Sequence, residues 1–417
     1  MRLIAARSLK ILLVAGIATF GLVCSAEYGL ASSTSPIATP ATQTPSVTGG
    51  GIYPPPVFRV AHILLGASLH HTFVPAGSAT TRSETLSDPD DISQLGPDLF
   101  VGFQNGVGPQ GQPSTDGNRD STIVEMSLTG EWIGQWDVVG KADGVTADPD
   151  LGAVIATVNE DANSALYTIR PNVKPTADAV TRYSYSEPLP HYGGTDAISI
   201  YNGHLFVSAS APGTTGAPAP QASYPAVYSV FLNPYSRVAT VQALFYDEDS
   251  ATIANVNGST LGESAKLGLT DPDSNEVVPI DGPRFAGDFM LTSQGDLEQI
   301  YVSDPGSPHQ RLAVLSLTQA VDDTAWATAA FGRLYSTDSV NDAVDVITGS
   351  FRSDQPLVAA TPCGANSAPA VCPAPPKYPA NYLATMNPWT GLVTAVRTVG
   401  APYVPQGGLA FVPGYYW

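Results

Sequence analysis

The chain has 417 residues, 43% of them hydrophobic, enough to bury a large core in one big repetitive domain or two ordinary ones. Charged residues make up only 13%, and 37 acids against 18 bases give a formal charge of -19, which argues against nucleic acid as a partner. The same balance favours solubility.

Residues 1–26 carry Arg2, Arg7 and Lys10, an uncharged apolar run from Ile11 to Val23, and Cys24-Ser25-Ala26 as a small-residue cleavage site, the pattern of a secretory signal peptide. That run is shorter than the ~20 residues that span a bilayer, and no later stretch is apolar enough to do so. A secreted or periplasmic protein without membrane insertion is therefore expected. A lipid anchor at Cys24 is disfavoured, because Val23 stands where lipoprotein signals carry Gly, Ala or Ser. Residues 27–56 are dominated by Ser, Thr, Pro, Ala and Gly, too poor in large apolar groups to offset their ordering entropy, and read as a flexible leader.

Residues 57–417 read as a single domain and a monomer. Short β-branched and aromatic runs alternate there with Gly, Pro, Asn and Asp turns, and helical periodicity is nearly absent, so the class is all-β. Two strands open it, VFRVAHILL and HHTFVPA. A loose repeat follows, in which an Asp opens a strand and a turn leads into a second strand. Its copies begin at Asp91, Asp143, Asp196, Asp288 and Asp323. Hairpins such as STIVEMSLTGEWIGQWDVV and NYLATMNPWTGLVTAVRTV supply the outer strands. The truncated GGLAFVPGYYW at the C-terminus would complete a blade together with the N-terminal strands. These units define a β-propeller of four-stranded antiparallel blades, whose ring closure leaves only short protected edges. At ~50–60 residues per unit the chain accommodates about six blades, with seven allowed. Two insertions interrupt the repeat, near residues 247–283 and 348–379. The second contains Cys363 and Cys372 in a Pro- and Gly-containing loop, read as a local disulfide contributing ~2–3 kcal/mol.

In a propeller the opening Asp residues would rim the central channel, joined by Gln104 and Asn105 of FQNG, by Asn159, Glu160 and Asp161 of VNED, and by Asp338. Hard oxygen ligands around a channel suit calcium. The alternative is that each Asp caps a turn by bonding backbone amides. His191, five residues before Asp196, stands at the same rim as a candidate general acid or base.

In repeat style the chain resembles the broad group of secreted six-bladed propellers that includes gluconolactonase-like and NHL-like proteins. That resemblance implies a channel metal held by a Glu, an Asn and an Asp from different blades, with a carboxylate as base. It nominates Asn159, Asp196 and Asp323 as metal ligands and Glu160 as a catalytic carboxylate. Other motifs fail on context. GVGPQG leads into no helix that could hold a pyrophosphate, and DPDSNEVVPIDG, from Asp271, has Glu276 where a calcium loop needs Gly. Neither G-x-S-x-G nor H-E-x-x-H occurs. The expectation is a protein that binds a small molecule, glycan or protein at its channel face, with Gln104, Asn105, Asp143 and Asp161 as ligand-binding residues. The rival is a metal-dependent lactonase-like hydrolase using the same rim.

Overall fold

The computed structural model describes residues 56–174, 178–189, 194–210, 223–362 and 381–414. Their strands group into six blades. From the channel outward, the first is Pro89–Leu95, Asp98–Phe103, Asp120–Ser127 and Trp132–Val139. The second is Ala142–Asp148, Ala153–Val158, Ala165–Ile169 and Val180–Tyr185, and the third is Ile198–Tyr201, His204–Ser208, Pro225–Asn233 and Val238–Tyr246. The fourth is Pro272–Val277, Phe289–Ser293, Glu298–Ser303 and Arg311–Ser316. Each innermost strand lies against the innermost strand of the next blade, around to Leu409–Pro413 and back to Pro89–Leu95.

The last two blades are interleaved. Val321–Ala327 opens the fifth, but the chain then crosses to lay down Gly332–Asp338 and Ala343–Thr348 in the sixth. It returns for Gln355–Ala360, Tyr382–Met386 and Val393–Ala395. The repeat that starts at Asp323 is therefore split between two blades rather than folded within one. The C-terminal Leu409–Pro413 is the innermost strand of the sixth blade and the N-terminal Val57–Leu65 lies outside Ala343–Thr348, so both ends of the domain close the ring. His70–Phe73 stays out of the blade, pairing with Arg82–Thr85 as a separate hairpin. The segment expected as an insertion near residues 247–283 carries an outer hairpin, Ser250–Ile253 with Ser264–Lys266, and then the innermost strand of the fourth blade.

The core is divided accordingly into six apolar layers, one between each neighbouring pair of blades. Phe100 and Ile123 meet Val145 and Val154 between the first two, and Phe206 and Phe245 meet Phe289 and Ile300 between the third and fourth. The remaining interfaces have the same composition. Both faces of every blade are thus buried only because it has neighbours, which is why the sequence must repeat. Trp136 and Trp326 lie in these layers, whereas Trp132 and Trp389 are exposed. Among the described residues no helix is long and apolar enough to cross a membrane.

Candidate functional site: the acidic channel

The innermost strands share one irregularity. In blades one, two, four and five the register to the second strand slips, between Pro89 and Ile92, Ala142 and Val145, Pro272 and Asn275, and Val321 and Thr324. This is a β-bulge, which re-aims side chains at the end of a strand. The first bulged residue is Asp90, Asp143, Asp273 or Asp322, and Asp196 holds the equivalent place before Ile198 in the third blade. Five carboxylates thereby line one mouth of the channel.

The preceding blade fixes each bulge. Thr157 Oγ1 donates to the Asp196 carbonyl at 2.6 Å, and Ser208 Oγ donates to that of Asp273 at 2.7 Å. Thr337 Oγ1 and Ser274 Oγ do the same for Asp90 and Asp322. Gln104 Nε2 reaches from the first blade to the Ala142 carbonyl at 3.0 Å and to Asp143 Oδ1 at 3.2 Å. The sixth blade has Gly407-Gly408 at this level. Gly407 has a φ of 72°, and a Cβ there would stand 2.6 Å from the Asp90 carbonyl oxygen; one on Gly408 would stand 2.5 Å from the Ile92 nitrogen. Ring closure thus requires glycine where the other blades place Asp.

The second bulged residue works differently. Asp91 accepts the Ile92 amide at 2.7 Å and the Val145 amide of the next blade, and Asp323 accepts the amides of Thr324 at 2.7 Å and Leu409 at 2.6 Å. These two carboxylates staple neighbouring innermost strands. The ring position thus falls one residue before the expected Asp91 and Asp323, and Asp288 stands at the start of a second strand, its counterpart in the ring being Asp273.

The mouth encloses a cavity of about 380 Å³ bounded by Asp90, Asp143, Asp196, Asp273 and Asp322, with Lys141 and Glu160 on one side and the neutral Gln294, Thr361, Asn381 and Gln406 around the rest. Lys141 Nζ lies 3.0 Å from Asp143 Oδ1 and is paired with Glu160. Burial works against its charge, but Asp143, Glu160 and Asp90 outweigh that and hold its pKa well above the usual lysine value. Asp143 is 3% exposed, and its Oδ2 has no hydrogen-bond partner.

One ammonium cannot neutralise this ring. Burial, reinforced by neighbouring carboxylates, raises Asp90, Asp196 and Asp273 well above the ordinary carboxylate range. Asp143 is pushed up to about 7 by burial and by Glu160, against the pull of Lys141, and burial lifts Asp322 to about 6. Asp143 is buried and the other four are half-buried, a setting in which the charged form is penalised.

The nominated residues separate accordingly. Asp143, Asp196 and Glu160 come together at the mouth, and Gln104 orients Asp143. Asp161 is partly exposed beside Glu160, its amide bonded to the Pro109 carbonyl. Asn105 is a buried turn residue with φ 53° whose amide bonds Ser87, Asp120 and Thr122. Asn159, with φ 67°, accepts the Lys141 amide at 2.9 Å and donates to the Asn163 carbonyl at 3.1 Å. With Asn159 turned to the backbone and Asp323 bonded to two amides, the proposed calcium set Asn159, Asp196 and Asp323 does not converge. Among the described residues no three His, Cys, Asp or Glu side chains are grouped to hold a metal ion. Asp338 bonds Asn341 and the Val404 amide. His191, Cys363, Cys372, Cys24 and the leader up to residue 55 lie outside the described residues.

Sequence reasoning missed Lys141, Asp90, Asp273 and Asp322. The available signal was the tetrapeptide set PDDI, ADGV, TDAI, PDSN and VDDT, in which the first Asp holds a constant place before the strand.

Fold and channel together define a six-bladed β-propeller with an acidic central mouth. Solved structures of similar fold include the hydrazine synthase of Kuenenia stuttgartiensis, 11% identical with a TM-score of 0.36, covering 75% of this chain and 65% of its own. They also include the periplasmic gluconolactonase of Pseudomonas aeruginosa, 12% identical with a TM-score of 0.39, covering 82% and 94%. The Pan2 WD40 domain of Neurospora crassa is 10% identical with a TM-score of 0.32, covering 65% and 67%. No protein-family model and no curated protein matches the chain.

Proposed function

We propose that this chain is an exported binding protein whose channel mouth takes a small, positively charged ligand. The supporting observation is the ring of five carboxylates, Asp90, Asp143, Asp196, Asp273 and Asp322, around a 380 Å³ cavity that holds one lysine. Buried carboxylates this close either keep their protons or pair with a cation, because desolvation and mutual repulsion both oppose the unpaired anions. The volume is that of a site for a small molecule. Lys141, bound to Asp143 and Glu160, fixes one wall, and the neutral arc of Gln294, Asn381 and Gln406 offers donors and acceptors to the uncharged part of a ligand. The test is the melting temperature of the full chain at pH 7 with calcium, magnesium and small amines in turn. At least one should raise it, and Asp196→Asn should shrink that rise. No shift with any cation refutes the reading.

A hydrolytic reading has one observation in its favour. Asp143 lines the cavity, and burial pushes the pKa of its carboxyl up to about 7. Such a group could take a proton from water attacking a lactone or ester. Turnover in a lactone and ester screen, with and without calcium, that falls by orders of magnitude in Asp143→Asn while folding is retained would favour this reading over simple binding.

A further inference from the structure

The hairpin of His70–Phe73 and Arg82–Thr85 stands outside the blades, in the connection from the outer strand Val57–Leu65 of the sixth to the innermost strand Pro89–Leu95 of the first. Its neck is fixed. The Gly66 amide donates to the Asp342 carbonyl at 2.7 Å and the Leu86 amide to that of Leu69 at 3.3 Å, while Leu69 and Leu86 pack in the apolar layer between the two blades. Beyond the neck little apolar surface is buried, because His71 and Phe73 are the buried residues of the two strands. A segment with so few apolar contacts opens at a lower free energy than the blades. Polar contacts with the first blade supply the rest. The Ala76 amide donates to the Gly117 carbonyl at 2.8 Å, and Gln135 Nε2 to the His70 carbonyl at 3.0 Å.

The remaining contact is ionic. The His71 ring is fully enclosed, with Nε2 3.0 Å from Glu84 Oε1 on the other hairpin strand and Nδ1 3.4 Å from Asp137 Oδ1 on the outermost strand of the first blade. Phe73 stacks on the ring at 5.5 Å between centroids. Asp120, at the start of the strand next to that of Asp137, is a third carboxyl that feels His71, whereas His70 and Arg82 of the hairpin are exposed. A neutral imidazole has one N–H and one lone pair, so between two carboxylates one nitrogen would turn its lone pair on an anion; the imidazolium donates at both. Burial disfavours that charge, but Asp137 and Glu84 outweigh it and raise the His71 pKa above the ordinary histidine value. We propose that the hairpin is a pH-operated latch on the first blade, closed while His71 is an imidazolium between Glu84 and Asp137 and loosened when the ring becomes neutral. Undocking returns His71 to water, where it titrates near the ordinary value of about 6.5. The protonic stabilisation of the docked hairpin is therefore complete below that value and is lost as pH rises through the higher docked value. Opening uncovers the end of the blade at Asp120, Thr122 and Asp137, while the pinned neck keeps the ring of blades closed.

The experiment is hydrogen exchange of the full chain at pH 6 and pH 8.5, read by mass spectrometry and corrected for intrinsic rates. Protection of hairpin peptides, relative to peptides from the strands Asp98–Phe103 and Asp120–Ser127, should fall about tenfold at the higher pH, the change that one pKa unit produces. His71→Gln, which stays neutral at both pH values, should hold the relative protection at the lower level throughout. Relative protection of the native hairpin that is equal at the two pH values, or a pH dependence that survives His71→Gln, overturns the inference. Should the variant fail to fold, nuclear magnetic resonance titration of the His71 ring in the native chain decides. The ring should titrate above the ordinary histidine value, and titration at or below that value overturns the latch.

Discussion

At the scale of single residues, the two positions of each bulge divide the work. The first places a carboxylate in the channel and the second holds the ring together. Asp91 and Asp323 each satisfy two backbone amides, one on the neighbouring blade. Leaving a buried amide unpaired costs about 1–3 kcal/mol, so Asp91→Ala should lower the melting temperature by several degrees even in the absence of ligand. Asp196→Asn, whose side chain makes no such staple, should change ligand response and leave the ligand-free melt nearly unchanged or raised. Parallel melting curves check both. The sequence could not separate these roles, because PDDI and VDDT each present two adjacent Asp residues, and only the bulge decides which one joins the ring at the mouth. Asn105 and Asn159 misled for a similar reason. An Asn in a turn at a strand end looks like a rim ligand, yet both adopt positive φ and bond mainly the backbone.

At the scale of elements, the closing blade is assembled from segments far apart in sequence. His62 on the N-terminal strand contacts Asp345 on the adjacent strand, Nδ1 to Oδ1 at 2.6 Å, and the Asp345 side chain is fully buried. Burial lifts Asp345 to about 6, with His62 pulling the other way. A carboxyl whose pKa is raised by folding contributes stability at low pH that is lost as pH rises through the folded value. His62→Ala leaves the buried Asp345 anion without its hydrogen-bond partner, so its cost, roughly 1–3 kcal/mol at pH 8, should diminish towards pH 5, where Asp345 is protonated. Chemical unfolding at the two pH values checks this, and equal costs would contradict it. Closure by both chain ends was legible, because a truncated repeat at one end and unpaired strands at the other imply a shared blade. The crossing between the fifth and sixth blades was not. AWATAAFGRLYSTD has the form of an ordinary hairpin, and only the partners of its two strands show that they belong to different sheets. The innermost strand of the fourth blade escaped notice because PDSNEV lacks the aliphatic run that marks a strand.

At the scale of the whole molecule, the channel sets an unusual pH dependence. Eight carboxyls, Asp90, Asp91, Asp143, Asp196, Asp273, Glu276, Asp322 and Asp323, all have raised pKa values, with burial as the leading cause. In the unfolded chain they titrate near the ordinary value of about 4. Folding therefore favours the protonated forms, and their stabilisation is complete below that pH. It is lost as Asp322 at about 6 and Asp143 and Asp323 at about 7 give up their protons. Without added cations the protein should melt at a higher temperature at pH 4.5 than at pH 8. A bound cation should narrow that gap by replacing the protons.

Proton release on binding is the most direct measure of that exchange. Calorimetric titration with a binding cation at pH 7, repeated in two buffers of different ionisation enthalpy, should give heats that differ by the buffer term, and Asp196→Asn should reduce both the affinity and the protons released. Cation binding with identical heats in the two buffers, or with an affinity untouched by Asp196→Asn, would contradict the placement of the ligand in the carboxylate ring.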